Sequence, residues 1–216
     1  WKESPAQTIV TTHSPLLVDV GLWRGVTRMA GHAVYPTAER LDEKILDQSI
    51  AAHLDEIPQY YYHETTFTAT GTELFFAKKV LLVEGPVEKY GLPRLAQVLG
   101  QSFEQLTVVS CNGKSKIAHY AVVCRAYELP LMVILDLDDR DESEKGNALV
   151  IGASAGAPIW KFTSSFEELL GIGKKADHKA SRALGAIDEL RDPAAIPEEI
   201  RNAIGAVAEW CNGQTS

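Results

Sequence analysis

The chain has 216 residues, 45% hydrophobic and 23% charged, with a formal net charge of −8. That length suits one domain, or one plus part of another. That charge argues against holding nucleic acid by bulk electrostatics, so any contact with DNA has to come from local cations or bound metals.

Three cysteines, Cys111, Cys124 and Cys211, occur without CxxC spacing. This argues against a disulfide framework and a zinc cluster, and for a reducing compartment, expected to be the cytoplasm. Nowhere do ~18 apolar residues run together, so no membrane span is expected. The opening WKESPAQTIVTTHSP lacks a basic segment followed by an apolar one, so it does not read as a signal peptide. Its first apolar run, Thr8 to Val10, arrives almost at once and leads straight into Thr11-Thr12-His13-Ser14-Pro15. A fragment of a longer polypeptide is expected to look like this.

In chain order, residues 1–70 read as a strand at Thr8–Val10, an apolar segment (Leu16, Leu17, Val18, Val20) and then mixed structure. Leu41, Ile45, Leu46, Ile50 and Leu54 fall at helical spacing. Pro58 and the tyrosines Tyr60 to Tyr62 follow; the tyrosines can stack on bases or form a half-buried aromatic patch. A Gly- and Thr-rich stretch from Thr65 to Gly71 reads as a linker. From Glu73 strands and helices alternate. Val80–Val83 is a short apolar run suited to a strand covered on both faces, and Val87–Leu99 is helical, ending at Gly100. Leu106–Ser110 is a second strand, followed by the turn Cys111-Asn112-Gly113-Lys114-Ser115 and a helix through Tyr127. Leu131–Leu137 is a third strand. Residues 140–158, polar and then Gly/Ala-rich, suit a loop. Ile159–Phe162 is a further strand, and the tail from Phe166 is helical, broken at Asp192-Pro193 and Ile196-Pro197. This order predicts a parallel sheet with right-handed crossovers.

Open α/β sheets carry their sites at the carboxyl ends of the strands. There the first strand ends in Glu84 and the third in Asp136 and Asp138, whose i, i+2 spacing lets them share a face. Glu88, four residues past Glu84, lies in the first helical turn and can fold back to the same rim. Four acids together repel, and their pKa values rise unless cations sit among them. Oxygen ligands without cysteine or histidine select Mg²⁺ or Mn²⁺ over zinc. Two such ions about 3.5–4 Å apart suit phosphoryl transfer. Taken singly, a DxD after a strand is often solvent-facing, and a Glu at a strand end often serves the helix dipole.

The string Phe75-Phe76-Ala77-Lys78-Lys79-Val80-Leu81-Leu82-Val83-Glu84-Gly85-Pro86-Val87-Glu88-Lys89, with Asn112-Gly113-Lys114-Ser115 and Asp136-Leu137-Asp138, resembles a TOPRIM domain, more narrowly the TOPRIM nuclease of the OLD (overcoming lysogenization defect) family. Those proteins join an ABC-type ATPase to a C-terminal TOPRIM nuclease, and Gln7–Pro15 resembles the end of such an ATPase, with His13 as its γ-phosphate-sensing switch; taken singly, a histidine between a strand and Ser-Pro is more often a turn residue. The resemblance implies an α/β fold with a Rossmann-like parallel sheet and three parts: an ATPase remnant and linker at 1–70, a TOPRIM core at 71–170 and a helical C-terminal part at 171–216. It implies metal ligation by Glu84, Glu88, Asp136 and Asp138, with Glu167 as the later acid. It also implies charge stabilisation by Lys179, for which Lys174 and Lys175 compete. The cofactors implied are one or two Mg²⁺ or Mn²⁺ ions, with ATP used only by the full-length parent, and the partner implied is DNA. The parent is expected to dimerise through regions absent here. No GxxxxGK[ST] occurs, so no ATP hydrolysis is expected of this chain. Asn112–Ser115 is either the glycine turn of the TOPRIM fold, with Lys114 near the site rim, or an ordinary turn with Ser115 as N-cap. Cys111 and Cys124 read as small buried apolar residues. The expected activity is metal-dependent cutting or nicking of DNA. The alternatives are a catalytically silent TOPRIM module that binds nucleic acid or a partner, and a topoisomerase- or primase-like TOPRIM.

Overall fold

A computed structural model of the chain describes residues 9–18, 26–30, 33–36, 71–137, 141–173 and 177–213. The expected helix at Leu41–Leu54, the tyrosines Tyr60 to Tyr62, the linker up to Thr70, Asp138, Lys174 and Lys175 lie outside them.

Short runs rich in β-branched residues, leucine and, in the last strand, aromatic residues make the central sheet. Its strands are β3 (Lys79–Val83), β4 (Leu106–Ser110), β5 (Leu131–Asp136) and β6 (Ile159–Phe162), all parallel, in the order β4-β3-β5-β6. A separate antiparallel hairpin joins β1 (Thr27–Ala30) to β2 (Ala33–Pro36). Successive side chains of a strand point to opposite faces, and the two faces build two cores. Val80, Leu82, Val109, Val133 and Leu135 pack on one side, and Leu81, Val83, Val108, Met132 and Ile134 on the other. Each fully buried leucine or valine contributes about 1.5–3 kcal/mol relative to exposure.

The helices follow from the strand order. The chain steps from β3 to β4 in one direction, then back past β3 to β5 and on to β6. Right-handed crossovers therefore place the first helix on one face and the next two on the other. Helix α1 (Pro86–Val98) lies on the Leu81 face. Helices α2 (Lys114–Ala126) and α3 (Asp141–Ser154) lie on the Val80 face and pack on each other. The short α4 (Phe166–Leu169), then α5 (Lys179–Glu189) and α6 (Glu198–Gly213), cover the α1 face through Phe166, Ile187, Ile200 and Ile204. Gly91 allows the close contact of α1 with α5, since a Cβ there would stand 2.6 Å from Ile187 Cδ1. The hairpin is tied to this body by Arg28, which donates to the carbonyls of Phe75 and Ala77 at 3.2 and 2.7 Å. Tyr127 Oη in turn donates to Val26 O at 3.0 Å.

The predicted strands and crossovers are present, with β3 starting one residue early and β5 ending at Asp136 instead of Leu137. Residues 140–158 are not a loop, because α3 spans Asp141–Ser154. Gly146 and Gly152 each weaken a helix by roughly 1 kcal/mol, which masks the helical signal. Packing of Val150, Ala153 and Leu149 on the core beside α2 overrides that propensity. The expected first strand is also absent over Ile9 and Val10, its described part. Both are exposed, Ile9 at 82%, and among the described residues no strand pairs with them. A strand without a neighbour leaves its backbone groups to water. The segment goes on into a 3₁₀ turn, Pro15–Leu17, with Leu16 80% exposed. Among the described residues no helix is long and apolar enough to cross a membrane.

Candidate metal centre

Between β3 and β5 the connections leave in opposite directions, and at such a switch point a crevice opens beyond the carboxyl ends of the strands. Glu84 is the residue after β3. Its carbonyl accepts from Gly113 N–H at 3.0 Å, while Cys111 N–H donates to Val83 O at 2.9 Å, so the β4–α2 turn is stitched to the end of β3. That turn needs left-handed backbone at Asn112 (φ 55°) and Gly113 (φ 125°). The N-cap position of α2 is Gly113, without a side-chain cap bond, so the reading of Ser115 as N-cap fails.

Gly85 is the N-cap of α1 and Pro86 its first residue, which puts Glu88 at the third position. From there a glutamate side chain reaches back to the N-terminal N–H groups of its own helix. Glu88 does so, 4% exposed, held by the backbone N–H groups of Glu88 itself and Gly85. A Cβ at Gly85 would stand 3.1 Å from Glu88 Oε2, so the returning carboxylate takes the space a side chain would need.

Asp136 closes β5 at 7% exposed. Its Oδ2 accepts from Phe166 N–H at 3.4 Å, and its Oδ1 is buried without a hydrogen-bond partner among the described residues. Glu167, next along α4, is ion-paired with Lys179 Nζ at 3.2 Å, and the same ammonium donates to Ser165 Oγ at 3.3 Å. Ser165 and Glu168 form a capping box that fixes the start of α4.

Electrostatics tie the acids together. Burial pushes Asp136 up to about 8, and the charges of Glu88 and Glu84 push it the same way, with Glu167 adding and the Phe166 N–H opposing. Burial likewise pushes Glu88 up to about 7, with Glu167 and Glu84 adding to it. Four carboxylates from β3, α1, β5 and α4 thus share one neighbourhood at the switch point. Among the described residues no three of them close up tightly enough to chelate an ion as they stand. The donor set nevertheless fits a hard divalent cation: oxygen only, with one buried oxygen of Asp136 unbonded and excess like charge to offset.

The other predicted residues fall as follows. Glu84, Glu88, Asp136 and Glu167 are brought together, with Lys179 beside them, whereas Asp138 lies outside the described residues. His13 is not brought into the cluster. It sits in an exposed bend before the Pro15–Leu17 turn, which packs on the 3₁₀ turn Gly71–Phe76. Sequence reasoning missed Ser165 as a second anchor for Lys179, although the S-x-x-E pattern of Ser165 and Glu168 is its signal.

Comparison with known proteins shows what this region is similar to. The family model described as "Overcoming lysogenization defect protein-like, TOPRIM domain" matches residues 75–138. Residues 75–138 resemble an OLD-like TOPRIM domain. The matched stretch holds Glu84, Glu88, Asp136 and Asp138, while Glu167 and Lys179 lie beyond it. The chain is also 27% identical over 226 residues to an OLD nuclease of Thermus scotoductus, an alignment covering 94% of this chain and 41% of that protein. The chain thus spans well under half of that relative's length. Among solved structures, the C-terminal region of the Burkholderia pseudomallei OLD protein aligns at 16% identity and a TM-score of 0.44, over 63% of this chain and 99% of that one. The C-terminal region of the Xanthomonas campestris pv. campestris OLD protein aligns at 19% identity and a TM-score of 0.40, over 67% and 86%.

Proposed function

We propose that this chain is the nuclease part of an OLD-type protein and hydrolyses DNA phosphodiester bonds with one or two Mg²⁺ or Mn²⁺ ions. The observation that carries the reading is the gathering of Glu84, Glu88, Asp136 and Glu167 at the switch point, with Glu88 and Asp136 buried and the Lys179 ammonium at the edge. The similarity to the Thermus scotoductus OLD nuclease supports it.

In this reading Glu84, Glu88, Asp136 and Glu167 hold the metal, joined by Asp138 on the strength of its spacing. When bound, the ions supply Lewis acidity toward the phosphate and toward the attacking water. The residues of the chain do the rest. The near-complete burial of Glu88 and Asp136 keeps bulk water from screening the site. Lys179, oriented by Glu167 and Ser165, stands ready to meet the negative charge that develops on a phosphate. Residues 1–70 belong in this reading to the end of an ABC-type ATPase, in which His13 senses the γ-phosphate of ATP, and the parent assembles as a homodimer elsewhere.

The test is direct. The purified chain is expected to nick supercoiled plasmid DNA with Mg²⁺ or Mn²⁺, without ATP, and to stop on addition of EDTA. DNA left intact across a series of divalent ions would discard the nuclease reading in favour of a silent binding module.

A further inference from the structure

The turn between β4 and α2 reaches further than a connection between neighbouring elements requires. Lys114, the first residue of α2, donates from Nζ to the main-chain carbonyl of Asp136 at 2.6 Å, so the turn that follows β4 also touches the end of β5, on the other side of β3. The end of β5 needs such a contact. Pairing of β3 with β5 stops at Leu82 opposite Val133, and β5 runs three residues beyond it, where among the described strands its ladder continues with β6 through Asp136 opposite Phe162. Lys114 bridges the gap where the ladder with β3 has ended. A half-buried lysine ordinarily extends its head to water, whereas this one gives it to a backbone oxygen. Its stem runs beside α3, where a Cβ on Gly146 would make ordinary contact with Lys114 Cδ at 3.5 Å. The same turn holds Glu84 through the Gly113 N–H. One connection therefore secures the main chain at both Glu84 and Asp136.

We propose that Lys114 is a positioning residue of the metal centre: its ammonium, bound to the Asp136 carbonyl, fixes the end of β5 and sets the Asp136 carboxylate toward Glu84. The proposal rests on the metal-centre reading above. Residues that orient metal ligands without touching the ion change affinity by about 10–100-fold when removed, and that is the effect expected here.

The experiment titrates Mn²⁺ alone, by calorimetry, into the unaltered chain, Lys114→Met and Lys114→Arg. Lys114→Met is expected to bind Mn²⁺ about 10–100-fold more weakly with unchanged circular dichroism, and Lys114→Arg, which keeps charge and donor, to recover most of the loss. A merely structural lysine would not produce that order at equal fold content. Wild-type affinity in Lys114→Met overturns the proposal while leaving the metal centre standing, whereas an unaltered chain that binds no Mn²⁺ overturns both. Should Lys114→Met not fold, the ammonium resonance of Lys114 in the unaltered protein, assigned by its loss in Lys114→Arg, decides the matter. It is expected to shift as Mg²⁺ is added, and a resonance that stays put overturns the proposal.

Discussion

A carboxyl group 7% exposed among other acids holds its proton more tightly in the folded chain than in the unfolded one. Asp136, pushed up to about 8, and Glu88, pushed up to about 7, are two such groups, with burial the larger cause in each. An acid raised on folding favours the folded state below its unfolded value near 4, and that advantage is lost as pH climbs through the folded value. In EDTA the melting temperature is therefore expected to fall between pH 5 and pH 9, by an amount on the order of a few kcal/mol of stability. Asp136→Asn should flatten the profile, and saturating Mg²⁺ should oppose the fall. A metal-free profile that rises over this range would contradict the raised values. The residues also differ in what their loss does to cutting. Glu84→Ala and Asp136→Ala are expected to abolish both Mn²⁺ binding and nicking. Lys179→Ala keeps the binding and slows nicking by about 10²–10³-fold. Calorimetry beside a plasmid assay separates the two patterns.

Among the elements, α4 has four residues but connects three parts of the centre. Its first N–H reaches Asp136, its second residue is Glu167, and its cap Ser165 receives Lys179. Ser165→Ala should cost about 1 kcal/mol, read as a lower urea midpoint at unchanged slope. It should also slow nicking by less than Lys179→Ala does, because Glu167 still orients the ammonium. Strands β3 and β5 were legible as near-continuous apolar runs, and β4 and β6 as mostly apolar runs broken by Thr107 and Lys161, all bounded by turn residues. The gathering of Glu84, Glu88 and Asp136 followed from strand-end position together with helical spacing. Helix α3 was not legible, since its glycines and polar residues blur the period and its stability comes from contact with α2. Ile9 and Val10 misled for the opposite reason: two β-formers do not make a strand without a partner to pair with. Glu167 and Lys179 carried no periodic signal and came only from the family resemblance. The Lys114 contact joins a side chain to a main-chain oxygen of a strand that is not its sheet neighbour, which no spacing rule encodes.

For the whole molecule, a ligand that binds the folded chain alone stabilises it by about 2.7 kcal/mol at a hundred times its dissociation constant. Thermal unfolding across a Mn²⁺ series should therefore show a midpoint that climbs with the logarithm of metal concentration, and a midpoint indifferent to Mn²⁺ would mean the folded chain does not bind it. The cysteines offer a view of the same event in time. Cys111 is fully buried where β4 enters the turn that holds Glu84, and Cys124 is fully buried within α2. Burial raises the Cys111 thiol well above its ordinary value and the Cys124 thiol to about 12, so neither reacts until the chain opens around it. Their sulfurs work as two clocks set at different depths, read by the rate at which a disulfide reagent labels each. If the crevice end of the sheet opens by itself, Cys111 runs fast, Cys124 keeps the slower time of global unfolding, and a divalent ion brings the two rates together.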